Sequence, residues 1–96
     1  MISATDLETA VYEAHRLAAT VLPADVRLAF ERMHQRETEK LPQRVMHEIL
    51  DNVSIAEADQ RPICADVGVP RLYVVVGDNC ELKDGFVQFE RAARQA

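Results

Sequence analysis

Apolar residues recur at helical spacing through the first half of the chain. Leu7, Ala10, Val11, Ala14, Leu17, Ala18 and Val21 stand three and four positions apart and form one stripe, the pattern of a helix with one buried face. Thr5-Asp6-Leu7-Glu8 precedes it with the spacing of a capping box, in which Thr5 accepts from the N–H of Glu8 and Glu8 reaches back to the N–H of Thr5. Leu22-Pro23 ends this helix, and Pro23 with Asp25 suits the first turn of a second. Val26, Ala29, Phe30 and Met33 are its apolar positions, with Arg27, Glu31, Arg32, Gln35 and Arg36 on the other face. A charged connector, Glu37 to Pro42, leads to a third helix from about Pro42 to about Ala58. Its stripe of Val45, Met46, Ile49, Leu50, Val53 and Ala56 is the most apolar of the three, which predicts a central position. Asn52 lies mid-helix, where asparagine is a weak helix former. It either faces solvent or bonds a neighbouring loop.

Arg61-Pro62 closes the third helix, because the residue before proline is pushed out of the α region. Leu72-Tyr73-Val74-Val75-Val76 is the one strongly β-like run, and it shows no alternation, which predicts a strand covered on both faces. Gly77-Asp78-Asn79 reads as a turn, Cys80-Glu81-Leu82 as a short second strand, and Phe86 to Arg94 as a last helix. The expected fold is α+β and mostly helical: three N-terminal helices, a short β-segment over about 72–82, and a C-terminal helix, in a single domain over 1–96. Its expected core is Leu7, Val11, Leu17, Val26, Phe30, Met33, Val45, Ile49, Leu50, Val53, Tyr73, Val75, Phe86 and Phe89. A two-stranded sheet is marginal alone, so helices cover it or its neighbours come from another chain.

With 96 residues there is room for one modest core. The 11 Lys and Arg against 16 Asp and Glu give a net charge of −5, which argues against nucleic acid or an anionic membrane as partner. No apolar run approaches a membrane span, and the N-terminus has no signal-peptide pattern. The two cysteines make no disulfide framework, and a cytoplasmic, reduced setting is expected. His15, His34 and His47 fall on different expected helices at no ligand spacing and read as surface or rim residues.

The chemistry concentrates in Arg61-Pro62-Ile63-Cys64-Ala65-Asp66-Val67-Gly68-Val69-Pro70. Two prolines bracket a thiol and a carboxylate, so the segment is neither a helix interior nor a central strand. Irregular turns carry functional groups more often than regular elements do. A buried, inert cysteine is the competing reading.

Pro62-Ile63-Cys64-Ala65-Asp66-Val67-Gly68 resembles the Pro-[Ile/Leu/Val]-Cys-Gln-Asp-Thr-Gly motif of the iron–sulfur hydro-lyases, the class I fumarases and L-tartrate dehydratases, in the N-terminal part of their α-type region. The likeness extends over Leu22-Pro23-Ala24-Asp25-Val26, Glu37, the stretch from Ile49 through Asn52 to Ala56, and Leu72 to Gly77. The resemblance implies that Cys64 is one of three thiolate ligands of a [4Fe–4S] cluster. Asp66 would be an active-site carboxylate in substrate binding and proton handling, and Gly68 structural. It also implies that the open iron acts as a Lewis acid on a hydroxy-dicarboxylate, so that water is added or removed. Ala65 and Val67 depart from the motif, replacing a glutamine and a threonine and removing their hydrogen-bonding groups. The family's other two cluster cysteines have no counterpart here, and Cys80 matches neither of them.

Two functions follow. In the first, the chain is a small subunit of a split hydro-lyase, inactive alone, with Cys64 completing a cluster shared with a larger subunit. In the second, it is a non-catalytic relative that has lost the cluster and serves as a binding, regulatory or structural module, through self-association or otherwise. A fragment of a longer protein is also compatible with the sequence.

Overall fold

The computed structural model describes residues 1–66 and 68–96. It contains α1 (Ala4–Thr20), α2 (Ala24–Arg36), α3 (Lys40–Asp59) and α4 (Val87–Gln95). The chain divides into two compact units, one of Met1–Leu17 with Gly68–Ala96, the other of Ala18–Val67.

Within the second unit, α2 packs on α3. Pro23 stands at the N-cap of α2, and the Arg27 N–H reaches the Pro23 carbonyl at 2.9 Å. In the connector, one oxygen of Glu37 accepts from the N–H groups of Thr38 (3.0 Å) and Glu39 (2.9 Å). α3 therefore begins at Lys40, ahead of the expected Pro42. Proline fits here because first-turn N–H groups have no helical acceptor. The helix ends on Gln60, which adopts a left-handed conformation (φ 55°), and the Arg61 N–H folds back to the Ala56 carbonyl at 3.0 Å. Val53 and Ala56, on the stripe expected to be central, are buried at 2% and 3% exposure.

In the first unit, α1 starts one residue earlier than its expected cap. Ser3, not Thr5, forms the reciprocal box: its Oγ accepts from the Asp6 N–H (3.2 Å), and Asp6 Oδ2 accepts from the Ser3 N–H (2.9 Å) and Oγ–H (2.6 Å). Aspartate at the third helical position serves as well as glutamate for closing the box. Leu7, Gln88 and Ala92 are the buried residues of this unit. Phe86 and Phe89 stack with ring centroids 6.3 Å apart, leaving Phe86 exposed.

The expected α+β class is not borne out. Among the described residues the fold is helical, and the β-segment over 72–82 does not form. A single parallel bridge joins Ile2 to Leu82, with the Ile2 N–H on the Glu81 carbonyl (2.9 Å) and the Lys83 N–H on the Ile2 carbonyl (3.1 Å). Leu72 to Val76 has the composition of a strand but, among the described residues, no neighbour to complete its ladder, and a lone strand has no stabilising hydrogen bonds. It lies exposed, Tyr73 at 90% and Val75 at 99%. Of the expected core, Leu7 and Val53 are buried, and Val11, Phe30, Ile49, Leu50 and Phe89 are half-buried. Leu17, Val26, Met33, Val45, Tyr73, Val75 and Phe86 are exposed.

Candidate functional site

The loop that leaves α3 is fixed at Ile63. Its N–H donates to the Ala19 carbonyl in the last turn of α1 at 2.9 Å. Its carbonyl accepts from Nδ2 of Asn52 in α3 at 2.7 Å. Both backbone polar groups of one residue are thus satisfied from two different helices. Both readings of Asn52 hold: the residue is exposed, and its side chain makes the hydrogen bond to the neighbouring loop. The side chain gives the loop an acceptor's partner that the helix backbone cannot supply, since the helix uses its own N–H groups internally.

Cys64 follows directly and its side chain is exposed. The Sγ–H donates to the backbone carbonyl of Asp66 at 3.1 Å. The cysteine and the aspartate are thus joined through the aspartate's main chain, not its carboxylate, and Asp66 is itself exposed. Ala65 is exposed and offers only a methyl group. Val67, where the family motif has threonine, lies outside the described residues. Cys80 belongs to the other unit, half-buried in a turn closed by its N–H on the Gly77 carbonyl at 3.0 Å, not in the expected strand.

Two features were not signalled by sequence spacing, the Ala19 carbonyl and the pairing of His34 with His47. Ala19 contributes only a carbonyl, which no residue pattern announces. His34 and His47 sit on consecutive helices with ring centroids 5.9 Å apart, a proximity that their separation along the chain conceals. Nε2 of His47 also lies 3.4 Å from Asp51.

Among the described residues, no group of three or more His, Cys, Asp and Glu side chains converges as a metal site. An iron–sulfur cluster takes four protein ligands, or three and an open position. An exposed thiol on an anchored loop fits one such ligand, presented outward, and the remaining ligands would have to come from outside these residues.

Residues 8–96 match the sequence profile of the family described as fumarate hydratase (fumerase). The chain belongs to that family. It is also 38% identical over 69 residues to a protein of Methanocaldococcus jannaschii provisionally named L(+)-tartrate dehydratase subunit alpha. That alignment covers 72% of this chain and 24% of the relative, so the chain spans about a quarter of the curated relative it matches. No solved structure matches the chain. No helix among the described residues is long and apolar enough to cross a membrane. Membership in the fumarate hydratase family accords with the resemblance carried by the Cys64 segment, and the matched residues extend well beyond that segment.

Proposed function

We propose that this chain is one part of a hydro-lyase that adds water to, or removes it from, a small hydroxy-dicarboxylate, and that Cys64 supplies one thiolate to a [4Fe–4S] cluster shared with a larger partner. The observation that carries this reading is the presentation of Cys64: an exposed thiol on a loop whose preceding residue is tied to two helices. A cysteine kept only for packing would be expected to be buried. When bound, such a cluster supplies Lewis-acid stabilisation of charge on the departing oxygen. Within this chain, Cys64 would hold it and Asp66 would be the carboxylate available to bind substrate or carry a proton. Family membership and a relative named as an alpha subunit support a component that acts with a partner.

Ala65 favours a second reading, a non-catalytic family member, because its methyl can offer no donor to a substrate carboxylate. Co-expression with the chains encoded by neighbouring genes, followed by anaerobic purification, separates the two. The subunit reading expects a brown complex whose visible absorption bleaches in Cys64→Ser. A colourless preparation that takes up no iron, with or without the partner, removes the cluster from the account and leaves the non-catalytic module.

A further inference from the structure

Of the polar side chains on α3, Asn52 is the one whose bond fixes the residue next to the candidate ligand. Its Nδ2 donates at 2.7 Å to the carbonyl of Ile63, the residue immediately before Cys64. The same residue's N–H is held at 2.9 Å by the Ala19 carbonyl. Among the described residues, Cys64, Ala65 and Asp66 have no comparable backbone tie to a helix, and the thiol itself reaches forward to the Asp66 carbonyl at 3.1 Å. The position of Sγ is therefore set by what happens at Ile63. We propose that Asn52 is a positioning residue for the Cys64 thiol, acting through the Ile63 carbonyl, and that Ala19 and Asn52 together form a two-point latch that points the thiol outward. This rests on the reading of Cys64 as a cluster ligand for its purpose, but the latch itself is a property of the free chain.

The physical reason for a latch of this kind is the entropy of the loop. Each backbone residue that must be held in one conformation costs roughly 1–2 kcal/mol. A ligand presented on a loop already ordered binds without that cost at the moment of assembly. Asparagine suits the role because its amide donates to the loop carbonyl with no charge to desolvate. The Sγ–H···O bond to the Asp66 carbonyl, at 3.1 Å, holds the thiol against the loop's own backbone. Releasing the loop frees Sγ from that carbonyl and opens it to reagent.

The test is the rate of alkylation of Cys64 by iodoacetamide at pH 7–8, with Cys80 in the same chain as the internal reference, read by mass spectrometry. Asn52→Asp keeps the shape of the side chain and removes the donor; Asn52→Ala removes both. Helix content is followed in each variant by circular dichroism. In both variants the Cys64 rate is expected to rise about threefold to tenfold relative to Cys80, the equivalent of one hydrogen bond, with faster hydrogen exchange at the Ile63 amide and helix content unchanged. An unchanged ratio and unchanged hydrogen exchange at Ile63 in both folded variants would overturn the latch. Should a variant unfold, amide hydrogen exchange at Ile63 in the unsubstituted chain decides: slow exchange, matching that of α3, supports the latch, and exchange at the rate of an unstructured peptide overturns it. Iron uptake in the co-expressed complex is scored separately. A changed thiol ratio without iron uptake keeps the latch and removes the cluster reading; iron uptake with an unchanged ratio does the reverse.

Discussion

Arg27 in α2 donates through Nη1 to Oε2 of Glu57 in α3 at 3.1 Å. The same guanidinium reaches Ser54 Oγ through Nη2 at 2.7 Å and lies 3.7 Å from Glu31 on its own helix. Its fork geometry allows one side chain to hold two positions of the neighbouring helix, which lysine cannot do. The side chains of Arg27 and Glu57 are 33% and 47% exposed, so water and salt screen much of the attraction. Arg27→Ala is expected to lower stability by about 1 kcal/mol, and Arg27→Lys by somewhat less. Urea unfolding at low and high salt checks both; a variant as stable as the parent at low salt would show that the bridge contributes nothing.

Val53 carries more than any surface pair. It is the most completely buried large side chain, at 2% exposure, on the inner face of α3. Val53→Ala removes two methyl groups from a packed site and is expected to cost about 2 kcal/mol, the transfer and cavity contributions together. Ile55, two positions on and 56% exposed, is the matched control: Ile55→Ala should stay within about 0.5 kcal/mol. Equal denaturant midpoints for the two variants would mean that α3 does not present the face inferred here.

These two cases show where sequence reasoning succeeds. Helix α3 was legible because periodicity, proline and the charged connector all agree, and Val53 and Ala56 fall on the predicted stripe. The boundaries moved by small amounts, since proline in a first turn does not mark the first helical residue. Leu72 to Val76 failed for a different reason. Composition records a preference for extended backbone, whereas a strand exists only when a partner closes its ladder, and that partner is not a property of the segment. The candidate site divides the same way. Cys64 stood out by residue type and by family resemblance, and Asn52 by its unusual place in a helix. The Ala19 carbonyl that completes the anchoring of Ile63 is a backbone group, invisible to any reading of side chains.

The N-terminal cap makes a pH-dependent contribution. The hydroxyl of Ser3, and then its backbone N–H, hold the Asp6 carboxyl below its ordinary value of 3.8. Because the folded-state pKa is depressed, this stabilisation is fully present above the unfolded value and is lost as pH falls through the folded one. Ser3→Ala should return the Asp6 titration toward 3.8, and Asp6→Asn should remove this component of the acid transition. Carboxyl carbon chemical shifts across the acid range follow both. An Asp6 titration unmoved by Ser3→Ala would dissociate the shift from the cap.

Val75 tests what the exposed apolar run means for the chain. At 99% exposure its side chain makes almost no contribution to the fold, so Val75→Lys should leave the urea midpoint within about 0.5 kcal/mol of the parent. The same change should matter for association. Tyr73, Val74 and Val75 are consecutive exposed apolar residues in a chain with a net charge of −5, and exposed apolar surface of this kind marks interaction sites or aggregation hazards. A lysine there costs its desolvation whenever the surface is covered. Sedimentation should therefore show weaker self-association at high concentration for Val75→Lys, and pull-down should show weaker retention of a larger partner in the co-expressed complex. If stability falls instead, by 1 kcal/mol or more, then Val75 packs against the chain's own residues in solution and the run is not free. If stability and association are both unchanged, the run is exposed without being a contact, and the partner in the proposed hydro-lyase must be held by another surface.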